Sequence, residues 1–466
     1  MGTPCEGNNC MHAIATTLQE PHDIGNSVGP PGRPTSGMAR RVVAAIARPE
    51  LHNPTLSLFD QAVVSATGFA TSVIIGRLCS REELGVFYLA LTIVYFARGI
   101  QEQVVSAPYV IYCHARRGEA QALYSGSALL HQLGLSFATL VVLGGILGLL
   151  SIGVGPVGLA PVVWVLLGAL PFLQLREFIR RLAIAHLQMA TATMIDVGVA
   201  VFQLGGLLVL AYFQLLTVVW AYGMMGAACA IACGGWFLAN RRPLQFNWSG
   251  AVTDWWHNWG FARWALASHL FGFTTPYLMP WIVTSVCGSG EAGVFAACVS
   301  IVGTASMFIT GLGAYLVPRA AMAFSRGGAG ELRRVLRTAA AVYTVVLGAF
   351  AILVLCSGDF LLVLAFGGKY AGYGAVISVL ALGMMALSLG QTAGIGLWAI
   401  DRPQANLSAD VCTLVVTLTL VFCLLEPMGV FGAALGDLAG KSAGALIRYE
   451  TFRRLLKTVR PSVDLR

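Results

Sequence analysis

Charge is scarce in this sequence. Asp, Glu, Lys and Arg make up 11% of its 466 residues, against about 25% in a soluble globular chain. With 57% hydrophobic residues and a mean hydropathy of +0.75, a water-soluble fold would lack the polar surface to cover its core. Lipid must be the solvent for much of the surface. Strand-like alternation is missing as well. The apolar runs are continuous and about 20 residues long, the length of a membrane-crossing helix, whereas a closed barrel needs alternating segments of about ten. A glycine-rich phosphate loop, a Ser-His-Asp order and a metal triad are all absent. Any transport work therefore draws on an ion gradient or on the substrate's own gradient. The eleven cysteines supply no metal pattern: Cys5 and Cys10 lie in a polar tail and the others are scattered without histidines at ligand spacing.

What is present is a series of twelve apolar runs, from 56–76 and 84–106 through 264–285 and 293–317 to 407–425 and 430–447. The reading is an all-α integral membrane protein of about 12 transmembrane helices in two pseudo-symmetric six-helix lobes. Residues 1–50 are polar and rich in Gly and Pro, without the apolar stretch of a signal peptide. They read as a disordered and interfacial segment, with a basic amphipathic piece from Met38 to Arg48 and a translation start expected at or near Met38. The N-lobe spans 51–243. The C-lobe spans 244–466 and opens with an interfacial connector, 244–262, marked by Trp248, Trp255, Trp256 and Trp259. The net charge of +8 is distributed by loop: Arg116 and Arg117, then Arg176, Arg180 and Arg181, then Arg241 and Arg242, Arg319 to Arg337, and Arg402 follow even-numbered helices. Loops after odd-numbered helices hold little more than Arg77, Arg81 and Lys369. Positive residues stay inside, so both termini are expected in the cytoplasm, and the basic balance is no sign of nucleic-acid binding.

One phrase occurs twice. Cys79-Ser80-Arg81-Glu82-Glu83-Leu84-Gly85-Val86-Phe87 returns 208 positions later as Cys287-Gly288-Ser289-Gly290-Glu291-Ala292-Gly293-Val294-Phe295. Each copy sits between two apolar runs. Gly68 before the first lines up with Pro276 before the second, a helix breaker at the matched place in each half. Repeated halves with interrupted helices are the sequence mark of a secondary transporter, which makes Gly68 and Pro276 the candidate hinges.

Charge inside a span costs about 2.5–3.5 kcal/mol and marks function by default. Asp60, Arg98, Glu102, Asp196, Asp410, Asp437 and Lys441 fall there. Arg98–Glu102 and Asp437–Lys441 are spaced i,i+4, which puts each pair on one helix face. Asp60 and Asp196 lie one turn inside their helices and are open to reading as helix-end acids touching water. Small polar stripes run along the first span (Gln61, Ser65, Gly68, Ser72) and the eighth (Ser300, Thr304, Gly311), either as tight helix contacts or as the wall of a wet cavity. The candidate cavity residues are therefore Asp60, Gln61, Arg98, Glu102, Asp196, Asp437 and Lys441.

Leu58-Phe59-Asp60-Gln61-Ala62-Val63-Val64-Ser65, Ile75-Gly76-Arg77 and Glu83-Leu84-Gly85 resemble the opening of bacterial polysaccharide flippases. These belong to the multidrug/oligosaccharidyl-lipid/polysaccharide exporter superfamily. Ala292-Gly293-Val294-Phe295, Pro318-Arg319, Gly367-Gly368-Lys369-Tyr370 and Asp401-Arg402-Pro403 agree in the second half. The resemblance implies a V-shaped pair of lobes, like that of the multidrug (MATE) transporters, around a cavity open alternately to each side. It implies a multi-pass protein of the bacterial cytoplasmic membrane that is not an enzyme and that turns a polyprenyl-pyrophosphate-linked glycan across the bilayer. Glycosyltransferases and a polysaccharide polymerase would be its companions. Arg98 would meet the pyrophosphate or acidic sugars, with Asp60 and Glu102 nearby. The count of five intramembrane acids against two bases departs from a cationic flippase cavity. It keeps open a multidrug antiporter coupled to H+ or Na+. A membrane-embedded glycosyltransferase is the remaining alternative, and it would need a sizeable outward loop.

Overall fold

The computed structural model describes residues 49–240, 244–402 and 404–458. Expectations for the first 48 residues, for Arg241 and Arg242, and for the last eight positions lie outside the described residues. Contacts divide the chain into an amino-terminal unit, Met1–His52, and a large unit, Asn53–Arg466. The second unit carries α1 from Asn53 onward and every other element.

Helices account for every regular element among the described residues. In the first half they are α1 (Pro49–Leu78), α2 (Arg81–Gln101, continued by a π-helical turn, Glu102–Ser106, and by Ala107–Tyr112), α3 (Glu119–Ser151), α4 (Leu159–Ala185), α5 (Met189–Tyr212) and α6 (Val218–Ala239). The second half holds α7 (Trp248–Cys287), α8 (Ser289–Gly303), α9 (Ala305–Phe366), α10 (Gly374–Ala399) and α11 (Gln404–Thr458). Nine of the described helices are each long and apolar enough to cross a membrane. Two of them are too long to cross only once. At 1.5 Å per residue, α9 would measure about 93 Å and α11 about 83 Å against an apolar core of about 30 Å. Each is broken by a glycine with positive φ, Gly328 (+60°) in α9 and Gly429 (+57°) in α11, a conformation that costs glycine little and other residues more. With α8 running into the first part of α9 through Thr304, the path comes to about twelve crossings.

The two copies of the repeated phrase meet. A Cβ placed on Gly85 would overlap the carbonyl oxygen of Ser289, and one on Gly293 would overlap that of Arg81. Ser289 and Gly293 stand 208 positions after Arg81 and Gly85, so the contact is reciprocal, as a two-fold axis requires. Backbone-to-backbone approach of this kind needs a residue without a side chain. The duplication repeats at the cysteines: Cys79 Sγ points to the Leu216 carbonyl at 3.7 Å and Cys287 Sγ to that of Leu425 at 4.0 Å. Ser80 starts α2 with a capping box, its hydroxyl accepting from Glu83 N–H at 3.1 Å while Glu83 accepts from Ser80 N–H at 3.2 Å. Around the junction, Ile75, Phe87 and Leu89 share one buried cluster with Val283, Phe295 and Tyr343.

The two candidate hinges differ. Gly68 lies in an unbroken stretch of α1, where a Cβ would meet nothing within 4 Å. In α7 the axis bends by 43° between Gly272 and Thr274. Pro276 accounts for the bend, because a proline ring collides with the carbonyl four residues earlier, here that of Gly272. The Trp-rich connector is a helical lead-in continuous with the seventh crossing. Asn247, which opens an apparent Asn-Trp-Ser acceptor, serves instead as its cap and accepts from Gly250 N–H at 3.3 Å.

Candidate functional site

Four helices of the first half deliver charge to one place: α1 brings Asp60, α2 Arg98 and Glu102, α5 Asp196, and α4 four residues. Arg176, Glu177, Arg180 and Arg181 are spaced so that they share one stripe of α4. At the centre lies Arg180, whose guanidinium donates to Asp60 Oδ2 at 2.5 Å and to Asp196 Oδ2 at 2.6 Å, and which meets Glu177 Oε1 at 3.4 Å. Arg176 pairs with Asp196 and lies 3.6 Å from Glu177. Arg98 reaches Glu177 at 2.9 Å, and Arg181 bridges Glu102 at 3.0 Å and Glu177 at 3.3 Å. Four carboxylates face four guanidiniums.

This geometry corrects three expectations. Arg176, Arg180 and Arg181 are not loop residues. Between Phe172 and Gln188 there is no glycine or proline to end the helix, so α4 runs on to Ala185 and carries them inward, where opposite charges make their burial tolerable. Arg98 and Glu102 do not pair with each other; each reaches across to α4. Asp60 and Asp196 are buried, at 4% and 2% exposure, rather than water-facing. The cluster is balanced four to four, so the excess of acids read from the sequence disappears. Glu177, at 2% exposure, was missed because it sat among residues read as loop. Its i,i+4 spacing to Arg181 was the available signal.

Beside the cluster lies a cavity of about 500 Å³ between α1, α2, α4, α5, α6 and the junction of α8 with α9. Its walls include the two polar stripes: Gln61, Ser65, Gly68 and Ser72 from one half, Ser300 and Thr304 from the other. The empty space around Gly68 identifies the first stripe as cavity wall rather than helix contact. Farther along, Gln203 donates to Thr71 at 2.8 Å, and Gln101 donates to the Gln174 carbonyl at 2.8 Å. The π-helical turn follows directly after Gln101, and such turns concentrate at functional sites.

The charges on the wall are unequally exposed. Arg98 shows 34% of its side chain, Arg176 13% and Arg180 7%, while Glu177 shows 2% and Asp196 none. Among the charges lining the cavity, Glu177 and Asp196 stand behind the arginines, and the face offered to a ligand is cationic; Glu102, 28% exposed beside Arg181, does not line it. Asp437 and Lys441 are elsewhere. They pair at 2.6 Å on α11 of the second half, beside Gly383 of α10. Asp410 pairs with Arg448 across the two arms of α11, one before and one after the break at Gly429.

At the end of the molecule holding the repeated phrases, the halves are latched by hydrogen bonds. Arg77 donates to the carbonyls of Leu364 (2.6 Å) and Ala365 (2.9 Å). Lys369 donates to the carbonyls of Arg77 and Cys79. Tyr373 links Arg81, at 3.4 Å, to Glu291, at 3.0 Å. Burial pushes the Cys79 thiol up to about 12, with the Glu83 carboxylate adding to it, and burial holds the Lys369 ammonium below its ordinary range.

No known protein-family pattern matches the chain, and no curated protein matches it in sequence. Solved structures match it in fold. An inward-facing conformation of a multidrug resistance MATE family transporter of the MOP superfamily superposes with a TM-score of 0.72 at 15% identity, over 87% of this chain and 96% of that one. The lipid II flippase MurJ, in an inward closed conformation, gives 0.70 at 11% identity over 86% and 87%. An outward-facing conformation of a MATE family transporter gives 0.61 at 14% identity, over 87% and 94%. The chain thus has the fold of this transporter superfamily and is a multi-pass membrane protein.

Proposed function

We propose that the protein flips a polyprenyl-pyrophosphate-linked oligosaccharide or polysaccharide precursor from the cytoplasmic to the outer leaflet of a bacterial inner membrane by alternating access. The observation that carries this reading is the cationic face of the cavity: of the charges lining it Arg98 is the most exposed, and the acids among them, Glu177 and Asp196, are covered by arginines. A guanidinium matches a phosphate in charge and geometry. A cavity of about 500 Å³ holds a headgroup rather than a long polyprenyl chain, which stays in lipid while the polar part crosses. Companion glycosyltransferases and a polymerase would supply and consume the cargo.

The loop charges orient the chain with both ends of the described chain toward the cytoplasm and the latched end outward. A higher superposition score to the inward-facing than to the outward-facing transporter is in keeping with a latch closed on the outer side. Alternating access needs a second state of similar energy in which the latch parts.

Cation coupling is the competing reading. H+ or Na+ would act on Asp60 and Asp196, and Arg180 already supplies these carboxylates with a cation that does not deprotonate in proteins. A coupling ion would have to displace it. The test is Arg98→Ala in proteoliposomes bearing a fluorescent lipid-linked glycan, read by quencher accessibility. Loss of translocation with unchanged insertion and folding is expected. Undiminished flipping would remove the assignment, and expulsion of cationic dyes driven by a proton or sodium gradient would favour the antiporter.

A further inference from the structure

A second cavity, of about 570 Å³, lies in the second half and shares no residue with the central one. It is framed by α9, α10 and α11. Leu336, Leu389, Ala393 and Leu446 give it apolar walls, and Phe452 and Leu456 close it on the α11 side. Its remaining character is positive. Arg333 and Arg337 stand one turn apart on α9, and Arg453 and Lys457 one turn apart on α11, so each helix presents two cations on one face. All four are exposed. Arg453 is tied to Glu450 at 3.0 Å. Among the described residues, Arg333, Arg337 and Lys457 have no ion pair.

Arg333 follows the break at Gly328 and Lys457 stands at the end of α11, so the cations gather where two crossings reach the membrane surface. Cations this close repel one another, and an anion among them relieves that. Apolar walls running away from the charges suit a hydrocarbon chain. A free anion would leave those walls unused, and a choline headgroup would bring a further positive charge to the rim.

We propose that this groove binds an anionic phospholipid, its phosphate among Arg333, Arg337 and Lys457 and an acyl chain along Leu336, Leu389 and Leu446. Basic pockets between membrane helices recognise acidic headgroups in this way. On the orientation argued above the site opens to the cytoplasmic leaflet, where positive loops meet anionic lipid. The bound lipid joins α9, α10 and α11, and so stabilises the second half without entering the transport path.

The test uses the full-length protein in nanodiscs of phosphatidylcholine, with or without phosphatidylglycerol, read by thermal unfolding and by native mass spectrometry of retained lipid. Phosphatidylglycerol is expected to raise the unfolding temperature and to remain bound. Arg333→Gln/Arg337→Gln/Lys457→Gln is expected to weaken that retention about a hundredfold, at about one kcal/mol for each cation, and to abolish the thermal shift. Arg454→Gln, which removes a neighbouring cation outside the groove, is the control and should change neither. Equal stabilisation by both lipid compositions would overturn the proposal, as would a triple variant that holds phosphatidylglycerol as well as the wild type. Inorganic phosphate binding equally well in detergent would reassign the groove to a free anion. Preferential retention of polyprenyl phosphate would reassign it to the transported lipid.

Discussion

Removing Arg180 tests whether the charge cluster is an interdependent unit. Glu177 keeps Arg98, Arg176 and Arg181 if Arg180 is lost, and Asp196 keeps Arg176. Asp60 has no such reserve, because among the described residues Arg180 is its one ion-pair partner. Its Oδ1 is already buried without a hydrogen-bond partner. Arg180→Gln therefore orphans one buried carboxylate, which costs about 3–5 kcal/mol. Asp60→Asn is milder. Arg180 retains Asp196 and Glu177, and the loss is one charge-assisted hydrogen bond, about 1.5–3 kcal/mol. In the double variant the orphan no longer exists, so its cost should fall below that of Arg180→Gln alone, giving a coupling energy larger than the Asp60→Asn cost, at least about 2 kcal/mol. The assay is unfolding in mixed micelles of mild detergent and dodecyl sulfate, followed by circular dichroism, with the exposed Arg454→Gln as reference. If Arg180→Gln cost no more than that reference, or if the two changes simply added, the picture of a guanidinium holding two helices by their carboxylates would be refuted.

Other outcomes follow from the same geometry. Gly68→Leu projects into open cavity and replaces a poor helix former, so folding stability should hold or rise by about 0.5–1 kcal/mol while translocation falls by at least tenfold. Gly85→Leu is expected to part the latch and expose Cys79. With its thiol moved from about 12 towards the ordinary value near 8.5, the thiolate fraction at pH 8 rises by about a thousandfold. Maleimide labelling of the Cys79 peptide by mass spectrometry reads this directly, and labelling at the wild-type rate would count against a latched junction. Asp437→Leu/Lys441→Met removes a self-contained pair; stability should be unchanged or improved, with transport within about twofold of wild type. A larger transport defect would return that pair to the cargo route.

The duplication was legible because its two copies use the same residues for the same task. Gly85 and Gly293 are small for one reason, the backbone of the opposite copy, and that reason left the same letters 208 positions apart. The polar stripes were legible too, since Gln61, Ser65 and Ser72 keep helical spacing whatever they face. The charge cluster was not legible. Charge density at Arg176 to Arg181 looked like a loop because a single sequence shows what each residue costs in lipid and not which partner offsets it.

Scarcity of charge and runs of continuous apolar residues settled, from the sequence alone, that this chain is a bundle of membrane helices. Those properties are local and additive, and they survive any arrangement of the helices. Only the tertiary structure decided the sign of the cavity wall. Asp60, Arg98, Arg180 and Asp196 come from four different helices, and the charge a ligand meets depends on which side chain stands in front of which. Glu177 and Asp196 held behind Arg98 and Arg176 make a cationic cavity wall from a neutral cluster, and that ordering exists only once the helices are packed.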